Sequence, residues 1–96
     1  SYGETIVAAD AGTVKYVKKD NYGYGYHLEI DHGNGMSTLY AHTSEILVNP
    51  GEKVFKGQPI AYVGSTGDST GAHLHFEIHV DGTAVNPREY VEVPSA

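Results

Sequence analysis

The fold of this chain is decided by the stretch Gly71-Ala72-His73-Leu74-His75-Phe76-Glu77-Ile78-His79-Val80, in which polar and apolar residues alternate. A period of two residues is typical of a β-strand with one face toward the core and the other toward solvent. The predicted core face carries Leu74, Phe76, Ile78 and Val80. The opposite face carries His73, His75, Glu77 and His79. Three imidazoles and a carboxylate on one strand face indicate a functional site.

The first candidate for that site is the pair His73 and His75. Neutral imidazole is a common metal ligand and a common proton-transfer group near neutral pH. Because the two residues are two positions apart, one ring can bind a metal ion while the other acts on what the metal holds. The alternative is a chance pair of solvated histidines, since short motifs discriminate weakly. The glycine-rich residues 64–71 and His42, at the end of another predicted strand, favour the functional interpretation.

Composition narrows the class of protein. The 96 residues are enough for one small domain, and 40% hydrophobic against 19% charged residues allows a folded core. The formal net charge of -6 argues against a nucleic-acid partner, which would need a basic surface. The chain has no cysteine, so any metal ion must be held by histidine and carboxylate side chains. No apolar run is long enough to span a membrane.

Short strands joined by tight turns are predicted along the rest of the chain. The predicted strands cover residues 5–9, 13–18, 26–31, 36–42, 61–63 and 83–85. Hairpin turns are predicted at Asn34-Gly35 and Asp81-Gly82, because these residues tolerate the positive φ that such turns need. Residues 86–90 are predicted to make one helical turn, with Asn86 as its cap. The chain as a whole, with 12 glycines, is predicted to be all-β.

Alternation also assigns faces on two of these strands. In residues 26–31, Leu28 and Ile30 are predicted to point inward. The outward-pointing residues of that strand are His27, Glu29 and Asp31. In residues 36–42, one face is predicted to carry Thr38, Tyr40 and His42.

The loop at residues 20–25 contains two tyrosines, Tyr22 and Tyr24. They are either a wall that faces a substrate or surface residues of an ordinary loop. Most loop residues carry no function, so we favour ordinary surface residues for both.

Three segments resemble the lysostaphin/LytM-type zinc metallopeptidases. Residues 65–77, around His73-Leu74-His75, resemble the His-x-His signature of that family. Residues 31–42 resemble its central hairpin, and residues 51–60 resemble the segment that follows. The resemblance runs from Tyr2 to Tyr90. It implies a small antiparallel β fold of the sandwich or barrel-sandwich-hybrid kind, with a groove over a zinc ion.

The resemblance further implies a zinc-dependent endopeptidase that hydrolyses peptide bonds of bacterial peptidoglycan. His75 matches the family's zinc ligand, His73 matches a catalytic histidine, and His42 matches its partner across the groove. In such sites zinc polarises the scissile carbonyl and lowers the pKa of bound water, and a histidine transfers the proton. The implied partners are peptidoglycan peptides, with no nucleic acid and no membrane. The implied location is the bacterial cell envelope, extracellular or periplasmic.

Two further zinc ligands of the family come from a His-x-x-x-Asp motif that lies shortly before the segment resembling residues 2–7. The chain is therefore predicted to be a single peptidase domain, residues 1–96, truncated at its N-terminus. We expect it to bind zinc weakly or not at all. His73, His42, His27 or His79 could supply substitute ligands, in an unproductive arrangement. An open strand edge at the truncation predicts marginal stability or self-association.

The sequence allows two alternatives to a truncated enzyme. The first is a degenerate, non-catalytic scaffold or regulator of cell-wall hydrolases, against which the joint presence of His42, His73 and His75 argues. The second is a biotinyl or lipoyl carrier domain, because residues 12–14 and 51–58 resemble turns of such domains. A carrier needs a lysine at an exposed hairpin tip, and neither predicted hairpin turn has one.

Overall fold

The structure, a computed structural model, describes residues 3–64 and 74–85. These residues form one curled sheet in which every strand pair is antiparallel. The strands are β1 (Thr5–Val7), β2 (Gly12–Lys19), β3 (Tyr26–Gly33), β4 (Met36–Ile46), β5 (Lys53–Val54), β6 (Pro59–Val63), β7 (His75–Val80) and β8 (Thr83–Val85). No helix occurs in the described part of the chain, so none there is available to cross a membrane. The all-β prediction is confirmed.

The 11-residue strand β4 organises the sheet. Its first part pairs with β3 on one side and with β7 on the other, and its last residues pair with β6. The remaining strands pair with these neighbours. In the sheet, β2 lies beside β3 and β5 beside β2, β1 lies beside β6, and β8 lies beside β7. One strand therefore connects both halves of the sheet.

The two faces of the sheet differ in chemistry, as the alternation predicts. Across β3, β4 and β7, the backbone positions of Leu28, Tyr40 and Phe76 form one row on the core face. The adjacent row, formed by Glu29, Leu39 and Glu77, lies on the opposite face. Leu28 and Ile30 are fully buried, which confirms that they point inward.

Both predicted hairpin turns are confirmed. Asn34 and Gly35 have φ of 54° and 77° between β3 and β4. Asp81 and Gly82 have φ of 52° and 82° between β7 and β8. Positive φ at both central residues matches the right-handed twist of the flanking strands, and it fixes the register of each hairpin.

Other predictions need correction. Residues 5–9 were expected to form a buried strand, but β1 ends at Val7, which is 46% exposed because only one face of this strand meets the core. Leu74 was expected to face the core, but it precedes β7 and is exposed. His27 and Glu29 do point away from the core, yet both are buried beneath neighbours on the other face. The helical turn at residues 86–90 lies outside the described residues.

Tyr40 is the largest fully buried side chain of the core, and its hydroxyl is satisfied there. It accepts a hydrogen bond from the backbone N–H of Ala9 at 2.9 Å and another from the Thr38 hydroxyl at 2.8 Å. Burial raises the pKa of Tyr40 above its ordinary value of 10.0, and these two hydrogen bonds oppose the effect only in part. The folded state therefore keeps the phenol neutral at a pH where the unfolded chain ionises it.

The variant Tyr40→Phe tests this arrangement. At neutral pH we expect a loss of about 1–3 kcal/mol in the free energy of unfolding, because the buried Thr38 hydroxyl and the partly buried Ala9 N–H lose their acceptor. As the pH rises above about 10, the wild-type chain loses the stability that its neutral phenol confers, whereas the variant does not. The difference in free energy of unfolding between the wild type and Tyr40→Phe should therefore become smaller at alkaline pH, as measured by urea denaturation. Tyr22→Phe, at an exposed position, should have the same free energy of unfolding as the wild type at each pH. A difference between wild type and Tyr40→Phe that does not change with pH would contradict the assignment.

Candidate functional site

A β-bulge in β4 shapes the candidate site. Tyr26 pairs with Thr43 and Leu28 pairs with Tyr40, so both Ala41 and His42 lie opposite the single residue between Tyr26 and Leu28. His42 has a φ of 59°, a left-handed conformation that is uncommon for residues other than glycine. Its N–H donates to the carbonyl of Tyr24 at 2.8 Å, and its carbonyl accepts from Gly64 at 3.0 Å. These bonds hold the bulge in place.

The bulge changes the direction of the His42 side chain. Regular alternation would place His42 on the same face as Thr38 and Tyr40, and that prediction is wrong. Tyr40 lies in the core, whereas the ring of His42 lies edge-on to the ring of His75, with 5.9 Å between their centroids. Bulges re-aim side chains in this way because the extra residue breaks the two-residue period.

His75 begins β7 and is the partner of Ala41 across the sheet. The ring of Tyr24 stacks on it, with 5.6 Å between centroids and 27° between planes. The three rings of Tyr24, His75 and His42 thus meet at one end of β4 and β7. His73 lies outside the described residues.

Glu77 receives three hydrogen bonds on its carboxylate. The Tyr24 hydroxyl donates to Oε2 at 2.6 Å, and His75 Nε2 lies 2.7 Å from the same oxygen. His79 Nε2 lies 2.7 Å from Oε1. The side chain of Glu77 is 18% exposed, so these contacts replace most of its hydration.

The electrostatics of Glu77 follow from these contacts. Burial by itself raises the pKa of this carboxyl, but the hydrogen bonds from Tyr24, His75 and His79 outweigh burial and lower the pKa to about 2. The hydrogen bond to Glu77 in turn raises the pKa of the Tyr24 phenol. At neutral pH the site therefore contains an ionised carboxylate and a neutral tyrosine.

The ring of His27 packs against the ring of Tyr24. Its Nδ1–H donates to the carbonyl of Gly25 at 2.8 Å, and its ring contacts Tyr24 and, edge-on, Tyr16. His27 and Asp31 have the His-x-x-x-Asp spacing, but on a strand this spacing separates the two by about 13 Å. His27 and Asp31 therefore cannot bind one metal ion together.

Sequence reasoning missed Tyr24, which contacts His75 and Glu77 and is no ordinary surface residue. Tyr22 does behave as expected, being 70% exposed. The available signal was the pair of glycines around Tyr24, because Gly23 and Gly25, with φ of 58° and 66°, turn the backbone on both sides of it. Glu77 was placed on the histidine face without a role, and the structure shows it at the centre of the hydrogen bonds.

The residues partly fit a zinc ion. The carboxylate of Glu77 accepts only, so neutral His75 must carry its proton on Nε2 and present the lone pair of Nδ1, as metal-ligating histidines with a carboxylate partner do. Within residues 3–64 and 74–85, however, no group of three or more His, Asp or Glu side chains could hold a metal ion. Among the described residues, His75 is a side chain that can offer a ring nitrogen as a ligand.

Comparison with known proteins assigns the family. Residues 1–87 match the family described as Peptidase family M23. The chain belongs to this family. Among solved structures, the M23 chain is similar to the catalytic domain of lysostaphin from Staphylococcus simulans, with a TM-score of 0.87, 33% identity, and 94% of this chain and 71% of that one covered. It is also similar to a zinc-containing peptidase from Vibrio cholerae, with a TM-score of 0.88 and 37% identity. That similarity covers 98% of this chain and 28% of the other.

Curated relatives of the M23 chain have several names. It is 47% identical to the DD-carboxypeptidase/endopeptidase Mpg of Neisseria meningitidis, with 86% of this chain covered. It is 45% identical to an uncharacterized metalloprotease of Haemophilus influenzae, with 91% of this chain covered. It is 42% identical to the murein hydrolase activator NlpD of Salmonella typhimurium, with 95% of this chain covered. The chain spans 19%, 18% and 24% of the lengths of these three proteins. They place peptidases and an activator of murein hydrolases in one family.

The left-handed backbone of His42 gives a testable prediction. Both His42→Gly and His42→Ala remove the imidazole, but alanine at this φ is strained by about 1 kcal/mol relative to glycine. We expect the glycine variant to have the larger free energy of unfolding in urea titrations, by about that amount. Ala41→Gly is the matched control at the neighbouring residue of the bulge, where glycine should destabilise as it does in ordinary strands. Equal stability of the two His42 variants would show that the bulge is relaxed in solution.

Proposed function

We propose that the protein containing this M23 chain is a zinc-dependent endopeptidase that hydrolyses peptide bonds of bacterial peptidoglycan in the cell envelope. The observation that carries the proposal is the meeting of His42 and His75 at one end of the sheet, although 33 positions separate them (75 − 42). The similarity to lysostaphin, to the zinc-containing peptidase and to Mpg supports it. Peptidoglycan peptides are the proposed substrates.

The residues have different proposed roles. His75 is a zinc ligand through Nδ1, and the remaining ligands come from residues outside the described ranges. His42 and His73 transfer protons and stabilise the oxyanion, since imidazoles near a scissile peptide perform both tasks. Zinc, when bound, supplies a Lewis acid that polarises the carbonyl and activates water. The buried, hydrogen-bonded backbone of His42 holds its ring beside His75.

A second candidate is a non-catalytic M23 domain that activates other murein hydrolases. The similarity to NlpD and the absence of a three-ligand group among residues 3–64 and 74–85 favour it. Under this proposal the histidines form a binding surface. The predicted self-association through a strand edge also remains a prediction.

Zinc content and peptidoglycan hydrolysis distinguish the two candidates. Both are measured on the 96-residue chain and on a form extended upstream of Ser1 within the parent protein. A peptidase should bind about one zinc per chain and release peptidoglycan fragments in the extended form. His75→Ala should abolish both, whereas His42→Ala should retain zinc and lose about 10²- to 10⁴-fold in rate.

The control for histidine content is His32→Gln, because His32 contacts the carbonyl of Ala11 and the hydroxyl of Thr38, away from His75. This variant should keep both zinc and activity. If the extended form neither binds zinc nor cleaves peptidoglycan, the peptidase proposal fails and the activator role is supported.

A further inference from the structure

We propose that Glu77 is a positioning residue that holds His75 as the Nε2–H tautomer, and that Tyr24 and His79 fix the carboxylate that does so. The inference deepens the proposed function and rests on it for its consequence, because a ring fixed in this way presents Nδ1 to a metal ion. The contacts themselves are properties of the chain. They can be tested with no metal present.

The distribution of donors over the two carboxylate oxygens is the first argument. Oε2 is bonded by the Tyr24 hydroxyl and by His75, and Oε1 is bonded by His79. An ionised carboxylate has no hydrogen to donate, so each ring nitrogen that contacts it must carry a proton. Both histidines, when neutral, are therefore Nε2–H tautomers with their Nδ1 lone pairs free of the proton.

The strand geometry is the second argument. His75, Glu77 and His79 lie on one face of β7 because side chains alternate along a strand. Glu77 sits between the two histidines and reaches one with each oxygen. Binding of His79 to Oε1 leaves Oε2 directed at His75, so the second histidine orients the carboxylate.

Tyr24 provides the third argument, since it connects all parts of the site. Its ring stacks on His75, its hydroxyl bonds the same Oε2 atom that His75 uses, and its carbonyl accepts from the N–H of His42. The ring contact prevents His75 from rotating out of the plane in which Nε2 meets Glu77. One residue thus ties the position of His42 to the orientation of His75.

Long-range ¹H–¹⁵N NMR of histidine-labelled protein reports the tautomer of each ring directly. The wild-type chain without metal should show both His75 and His79 as Nε2–H tautomers. Glu77→Ala should convert His75 to a mixture of tautomers. Tyr24→Phe should have a smaller effect, with Nε2–H still the main tautomer of His75, because it removes one hydrogen bond to Oε2 but keeps the stacked ring and the bond from His79.

Glu77→Gln gives the sharpest test, because an amide has one acceptor and one donor. The amide oxygen should occupy the Oε2 position, where it keeps two hydrogen bonds, and the NH₂ group should then face His79. His75 should therefore remain Nε2–H while His79 switches to Nδ1–H. A merely structural ion pair predicts no such opposite response of the two rings.

The consequence for zinc is measured separately, by titration of the extended form with zinc and a competing chelator. We expect Glu77→Ala to lower the affinity about 10- to 100-fold, and Glu77→Gln to restore most of it. If the wild-type extended form binds no zinc, the proposed function fails while the NMR result still decides the role of Glu77. A wild-type His75 in the Nδ1–H form, or a tautomer unaffected by Glu77→Ala, would overturn the inference even if zinc binds.

Discussion

The β-bulge at Ala41 and His42 is the constraint on which the site depends. β4 must pair with β3 and β7 along its first part and with β6 at its end, and the bulge lies where these partners change. The extra residue lets Tyr40 stay in the core while His42 turns toward His75. Without it, regular alternation would carry the His42 side chain to the other face, away from His75.

The two faces of the sheet stabilise each other through opposite physical effects. On one face, burial of apolar side chains supplies the hydrophobic free energy that keeps the strands together. On the other, Glu77 is largely removed from water, which is costly unless hydrogen bonds replace the lost hydration. Three donors do so, and for this reason a carboxylate can stand beside two histidines within the sheet.

Membership of family M23 gives these features a common interpretation. Both a DD-carboxypeptidase/endopeptidase and an activator of murein hydrolases are similar to this chain. In general, three protein ligands and an open position make a catalytic zinc site, and a single imidazole does not. His75 is hydrogen-bonded to Glu77, and His42 is held beside it by the backbone of Tyr24.

The sequence by itself determined most of the strands, both hairpin turns and the identity of the histidine-bearing face, because these depend on local periodicity and on which residues tolerate positive φ. It did not determine β5 or the full lengths of β4 and β6. It also pointed to His42 and His75, through their resemblance to a known family. Only the tertiary structure decided which side chains meet. The bulge at His42 breaks the alternation from which faces are inferred, and Tyr24 reaches Glu77 across 53 positions of sequence. Contacts of that range are set by strand pairing, and no local pattern in the chain records them.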